Sequence, residues 1–191
     1  LYLGPQAGKL TGSTPTDPRC DLRGGYARAK ALAERTLLAM AASEGLQVCI
    51  LRPGVVVGAG AAPLHGGLGF YNNEQHCIGW NSGRNPLPFV LVEDVAEAIW
   101  LASRAGVDVA GRCYNLVGDV RPNARDFIAM LAAAQQRPLC FHPQWPLVLW
   151  LAETGKWMVK RWSGRHVQRP ARRDILSRGM RAEFDCTDAK R

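Results

Sequence analysis

No two cysteines in this sequence are spaced C-x-x-C, although six are present: Cys20, Cys49, Cys77, Cys113, Cys140 and Cys186. Thiols scattered in that way exclude a zinc knuckle and a small disulfide scaffold, and read as the reduced cysteines of a cytoplasmic protein. His76-Cys77 has no further ligand at metal spacing, so no metal site is expected. Long apolar runs are missing as well. The longest, 146–152, falls far short of the ~20 residues of a spanning helix, and no signal peptide is visible. Acidic side chains are the scarcer sign, 16 against 24 Lys and Arg, for a net charge of +8 over 191 residues. That imbalance points to an anionic partner: a dinucleotide, a nucleotide-linked substrate, nucleic acid or a membrane surface. No DNA- or RNA-binding motif appears, so nucleic acid is the weakest of these. The sequence shows no repeat or low-complexity segment, opens at Leu1 rather than Met and in mid-pattern, and reads as part of a longer gene product.

What is present is an alternation of strands and helices. Residues 4–23, rich in Gly, Pro, Thr and Asp, read as loop. From Gly25 to Glu44 the sequence turns to Ala, Leu, Lys, Arg and Glu, which favours a helix. Ala29, Leu32, Ala33, Leu37 and Met40 should give it an apolar face, and Gly45 should end it. Val48–Leu51 reads as a strand buried on both faces. Val55–Val57 follows, then a Gly- and Ala-rich loop to Gly69 and a polar, irregular stretch from Tyr71 to Pro88. Phe89–Val92 and Cys113–Val117 read as further strands and Leu139–Phe141 as a short one. Helices are expected at 95–104, capped by Asp94, and at 124–134, capped by Asn123. A Trp-rich helix is expected from Pro146 to Trp162. The pattern indicates an α/β fold with a mainly parallel sheet.

The feature with chemistry in it is Tyr26-Ala27-Arg28-Ala29-Lys30. A spacing of four places Tyr26 and Lys30 on one helix face, one turn apart. A cation held close favours the phenolate, so a Tyr so placed can give or take a proton near neutral pH. The same ammonium can hydrogen-bond the hydroxyls of a ribose. Alone, the motif is weak, because chance produces it often on solvated helices.

Its surroundings make it specific. The Thr14-Pro15-Thr16-Asp17-Pro18 loop, Leu51-Arg52-Pro53-Gly54, Phe89-Val90-Leu91-Val92-Glu93-Asp94-Val95-Ala96, Gly111-Arg112-Cys113-Tyr114-Asn115-Leu116, and Ala182-Glu183-Phe184-Asp185 with Asp188-Ala189-Lys190 follow in order. Together with the Tyr/Lys pair they resemble the extended short-chain dehydrogenase/reductase family, also called the NAD-dependent epimerase/dehydratase family. The resemblance implies a partial Rossmann-like, doubly wound parallel sheet with a smaller C-terminal substrate-binding subdomain. Residues 1–57 and 93–118 would form the C-terminal half of the dinucleotide-binding domain, and 58–92 with 119–191 the substrate side. It implies NAD or NADP as cofactor, Tyr26 as acid/base, Lys30 as its partner and ribose ligand, and Pro53 and Val55 beside the nicotinamide. It also implies a homodimer packed through the helix that carries Tyr26.

The departures from the family pattern are informative. The G-x-x-G-x-x-G phosphate loop is absent, and Gly58-Ala59-Gly60-Ala61-Ala62-Pro63 has Pro63 where a third Gly would stand. It reads instead as a mobile loop at the site. Tyr2-Leu3-Gly4 resembles the pair that follows the family's catalytic Ser or Thr, which would then precede Leu1; Ser13 and Thr14 are poor substitutes by position. In the irregular stretch Asn72, Asn73, Arg84 and Asn85 could bind a polar or phosphorylated substrate. The basic run after Lys156 reads as a solvated face, with a pyrophosphate-binding surface or docking at an anionic membrane beside Trp145, Trp150, Trp157 and Trp162 as its functional options. The expected activity is epimerisation, dehydration or reduction at a hydroxyl or carbonyl carbon of a small-molecule substrate. A nucleotide sugar leads, with a hydroxysteroid- or dihydroflavonol-type alcohol as the alternative. A non-catalytic NAD(P)-sensing scaffold is the reading from another class, against which the intact Tyr26/Lys30 pair counts.

Overall fold

The structure is a computed structural model and describes residues 9–73 and 75–190. Its elements, in chain order, are β1 (Lys9–Leu10), α1 (Gly25–Glu44), β2 (Ile50–Pro53), β3 (Val55–Val57), β4 (Gly69–Asn72), β5 (His76–Trp80) and β6 (Phe89–Leu91). They continue with α2 (Val92–Ala105), β7 (Cys113–Leu116), α3 (Ala124–Gln135), β8 (Cys140–Gln144), α4 (Pro146–Trp162), α5 (Arg172–Arg178) and β9 (Glu183–Phe184). Pairing between these strands is parallel in β1–β9, β2–β7, β3–β6 and β5–β8, and antiparallel in the β4–β5 hairpin.

α1 and α4 occupy the residues that composition assigns to them. α1 is rich in Ala, has Thr36 as its only β-branched residue, and stops at Gly45, whose φ of 68° is a backbone state that other residues adopt at a cost. Its buried side is a different one from the expected. Ala27, Ala31 and Glu34 face inward, while Leu32 and Leu37 are 57% and 39% exposed. The cause is electrostatic: Glu34 is drawn in to meet Arg52 on β2.

β2 and β3 are separated by Gly54 alone, and there the chain changes partner, from β7 to β6. The Gly54 N–H bonds the Leu116 carbonyl at 2.9 Å and the Gly118 N–H bonds the Phe89 carbonyl at 2.7 Å, which stitches the two strand pairs together. β2 begins two residues later than expected and is only half-buried. Among the described residues it is paired on one side, and a gap of about 430 Å³, lined by Val48, Leu51, Ile99 and Ala102, separates it from α2.

Three further expectations are corrected. The stretch from Tyr71 to Pro88 is not irregular throughout: β4 and β5 form a hairpin across it, with Asn73 at φ 51° in the turn. Its polar turn residues hid the alternation that buries Cys77, Gly79 and Trp80. Asp94 does not cap α2, which starts at Val92. Asp94 and Glu93 lie in its first turn, where carboxylates favour the helix dipole. The basic tail is not one solvated face, since it contains α5, whose Ile175 is buried against Trp80 and Leu149. Asn123 does cap α3, accepting the Asp126 N–H at 3.0 Å. β8 runs three residues beyond the short strand expected at Leu139–Phe141.

Candidate active site

α1 reaches the site held at two points. Near its middle, Arg52 donates to both carboxylate oxygens of Glu34 and to the carbonyls of Gly12 (2.9 Å) and Thr14 (3.2 Å). One guanidinium thus joins β2, the loop ahead of the helix and the helix itself, with both side chains of the pair about nine-tenths buried. Ser13 and Thr14 spend their hydroxyls in the same loop: Ser13 bonds Thr11, and Thr14 accepts the Thr11 N–H at 2.9 Å.

The second hold is on the helix N-terminus and comes from 150 residues away. The Asp174 carboxylate of α5 accepts the Gly24 N–H at 2.7 Å and, on its other oxygen, Arg23 Nε. Arg23 also donates to Ser177 Oγ at 3.2 Å and to Asp17 at 3.5 Å, and Arg173 grips Asp17 with two bonds of 3.1 and 2.6 Å. Gly24 has no side chain of its own to cap α1, and a Cβ there would run into the Asp174 carboxylate. Asp17 is 3% exposed. Burial alone would push its carboxyl up, but hydrogen bonds from Arg173 and the Arg19 N–H, with the Arg173 and Arg23 guanidinium groups, outweigh it and hold the value below the usual carboxylate range. Arg173 is shifted the opposite way by the same pairing, its affinity for the proton raised.

Tyr26 stands two residues beyond Gly24, 79% exposed, and Lys30 follows one turn later on the same exposed side. The Lys30 ammonium lies 5.9 Å from the centre of the Tyr26 ring, over its face. The helix therefore does bring this pair together. Pro53 ends β2 opposite Leu116, and Val55 opens β3, its N–H bonded to the Pro88 carbonyl at 2.7 Å. The remaining candidates sit elsewhere on the chain. Asn72 ends β4 and, with His76, Ile78 and His142, lines a cleft of about 320 Å³. Asn73 is in the hairpin turn, and Arg84 is exposed in the loop before β6. Asn85 is structural, donating with Asn81 to the Gly179 carbonyl. Tyr2-Leu3-Gly4 lie outside the described residues.

A wider cleft of about 710 Å³ runs along the second half of α1, lined by the 12–18 loop, Glu34, Arg35, Arg52 and residues 111–114. Neither Tyr26 nor Lys30 lines it, so size alone does not mark the chemistry here. Sequence reasoning missed the Asp17–Arg23–Arg173–Asp174 cluster. Its one visible signal is Asp17 in a Thr-Asp-Pro loop, because partners 156 residues apart leave no local pattern. It also missed His65, whose Nδ1 accepts the Gly67 N–H at 3.1 Å while its buried Nε2 finds no partner among the described residues. Burial lowers its proton affinity, so the ring is neutral between Phe89 and Phe127.

The donor set suits one end of a dinucleotide. Lys30 makes no ion pair among the described residues, and its N–H groups and the Tyr26 hydroxyl project from one exposed side of α1, as a ribose diol requires. A glycine-rich pyrophosphate loop does not occur in the sequence.

Residues 4–118 match the NAD dependent epimerase/dehydratase family. No curated protein matches the chain. Among solved structures it is similar to UDP-glucuronic acid 4-epimerase from Bacillus cereus in complex with UDP-glucuronic acid and NAD: TM-score 0.62, 14% identity, 98% of this chain and 50% of that one. It is also similar to dTDP-glucose 4,6-dehydratase from Bacillus anthracis in complex with NAD: TM-score 0.56, 19% identity, 75% and 47%. A third is RMD from Pseudomonas aeruginosa complexed with NADPH: TM-score 0.55, 20% identity, 93% and 62%. At these identities the likeness carries the fold, which is Rossmann-like α/β, and the chain spans about half the length of the first two.

Proposed function

The chain belongs to the NAD dependent epimerase/dehydratase family, and from that premise we propose that it supplies the proton-transfer pair and the substrate side of an NAD- or NADP-dependent enzyme acting on a nucleotide sugar. The observation that carries the reading is the Tyr26/Lys30 pair, exposed on one side of a helix whose N-terminus and middle are both fixed by ion pairs. A nicotinamide cofactor, held by Lys30 at its ribose, would supply the hydride acceptor or donor for the reacting carbon. Tyr26 Oη takes the proton from the hydroxyl at that carbon, or returns it to the carbonyl oxygen. Lys30 donates to the ribose hydroxyls and keeps a positive charge over the Tyr26 ring. Pro53 and Val55, held by the strand change at Gly54, would flank the nicotinamide. Asn72, Asn73 and Arg84 are the polar groups offered to the substrate, whose phosphates suit the basic balance of the chain. The outward Leu32 and Leu37 of α1 suit a homodimer packed through that helix.

The test is a fluorescence titration of the full gene product with NADH and NADPH, followed by turnover on a panel of nucleotide sugars. Tyr26→Phe should lose about 10²–10⁴ in kcat with cofactor binding kept, and Lys30→Ala should weaken both. Wild-type turnover by Tyr26→Phe would overturn the assignment.

A further inference from the structure

Three helices leave more than one large apolar side chain facing solvent: α1, α2 and α4. They differ in the charge beside those side chains. The exposed Ile99 and Trp100 of α2 share their helix with Glu93, Asp94 and Glu97, and the exposed Leu32 and Leu37 of α1 lie among residues of both signs. On α4 the exposed stripe is Leu147, Val148, Leu151, Met158, Val159 and Trp162, the last of them 94% exposed. At 3.6 residues per turn these six fall within an arc of about 120°. Gly155, the one other position inside it, and Ala152, just beyond its edge, are small and uncharged. Lys156 flanks the stripe on one side and Arg161 on the other, Lys160 is exposed further round the helix, and Arg165 follows just beyond its end. The only acid on α4 is Glu153, paired with Lys156 at 2.8 Å.

We propose that α4 docks this protein on an anionic membrane surface, with its apolar stripe in the lipid interface and its basic borders on the headgroups. The helix does not cross a bilayer, and no helix among the described residues is long and apolar enough to do so. Its 17 residues, roughly 25 Å long, lie flat. The opposite face is already spoken for. Leu149 packs with Trp80 and Ile175, and the indole N–H groups of Trp150 and Trp157 donate to the carbonyls of Pro170 and Val167 at 3.3 and 3.0 Å. Arg172 and Arg169 sit over those same two rings. Of the four Trp residues expected at a membrane, Trp150 and Trp157 therefore anchor the helix to the fold, and Trp145 and Trp162 are the ones free to enter the interface. Docking there would hold the proposed cofactor-dependent chemistry at a membrane surface. The docking itself does not depend on that chemistry.

The experiment is sedimentation of the full gene product with vesicles of phosphatidylcholine, alone or with about one-third phosphatidylglycerol. Wild type should bind the anionic vesicles, less well as salt is raised, and bind pure phosphatidylcholine weakly. Lys156→Gln/Lys160→Gln/Arg161→Gln should lose roughly a hundredfold in partitioning. Leu151→Glu/Val159→Glu should lose binding altogether with an unchanged circular dichroism melt, since both side chains are exposed. The Trp162 emission, taken as wild type minus Trp162→Phe, should shift to the blue and be quenched by brominated lipid. Failure of wild type to bind anionic vesicles would overturn the proposal. So would binding that survives both variants, or a soluble oligomer that Leu151→Glu/Val159→Glu dissociates without any lipid binding by wild type.

Discussion

The two regions that meet at the start of α1 are held by different forces. On the side of β4, β5, β8, α3 and α4 the residues close around apolar clusters: Leu68, Cys77, Leu87, Phe89, Ala124 and Ile128 in one, and Trp80, Leu149 and Ile175 in the other. Around α1, β2 and the 11–24 loop the buried apolar side chains are small, Cys20, Ala27 and Ala31 among them, and the bracing comes from Glu34–Arg52 and from Asp17 and Asp174 with Arg23 and Arg173. Apolar burial is non-directional and tolerates some repacking. A buried ion pair adds little net stability, yet it fixes an orientation and is costly to break from one side. The helix that carries Tyr26 is thus placed by bonds that specify a position, and the region of β4, β5, β8, α3 and α4 by contacts that supply stability.

Removing one ionic partner should give the largest effect. Asp17→Ala leaves Arg173 and Arg23 without their shared carboxylate and should cost about 3–5 kcal/mol in denaturant unfolding. The same pairing sets an acid limit. The native Asp17 value lies below the unfolded one, so its contribution is complete above about pH 4 and is lost as pH falls through the lowered native value. Hydrogen exchange at falling pH should therefore open the 11–24 loop and the start of α1 before β5 and α3. Simultaneous opening would erase the contrast between the two regions.

Leu68→Ala, at a fully buried side chain, should cost about 2–5 kcal/mol, a value independent of pH between 3 and 7. A pH-dependent loss there would mean the apolar region also leans on ion pairs. Asp174→Ala should cost less, about 1.5–3 kcal/mol, because its carboxylate is partly exposed and water can reach the freed Gly24 N–H. It should lower kcat more than it raises KM, through a misplaced Tyr26. A pure KM effect would instead locate Asp174 in substrate binding. Tyr26→Phe should change stability least, within about 0.5 kcal/mol, since the side chain is 79% exposed. It should still have the largest effect on turnover.

α1, α4 and the Tyr26/Lys30 pair were legible in the sequence, as were the strands at Val55–Val57, Phe89–Leu91 and Cys113–Leu116. Each is a local matter: Ala-rich composition, a terminal Gly, a spacing of four, an apolar run. The inward face of α1 was not legible. Leu32 and Leu37 look like core by periodicity, but Glu34 is buried because Arg52 waits on the neighbouring strand, and hydropathy has no term for a partner. The β4–β5 hairpin was hidden for a related reason, since its polar turn outweighed the short strands on either side.

The sequence by itself determined α1 and α4 and the spacing that sets Tyr26 and Lys30 one turn apart, because these depend on neighbours three to four positions away. Only the tertiary structure decided how that helix is aimed. The Gly24 N–H has no cap within its own segment and takes Asp174 from α5, and the arginines that look like a solvated tail include Arg173, bound to Asp17, and Arg178, Arg172 and Arg169, over Trp80, Trp150 and Trp157. A hydrogen bond between residues 150 apart costs the chain a long loop closure and leaves no periodic trace, so it becomes visible only once the fold has brought its two ends together.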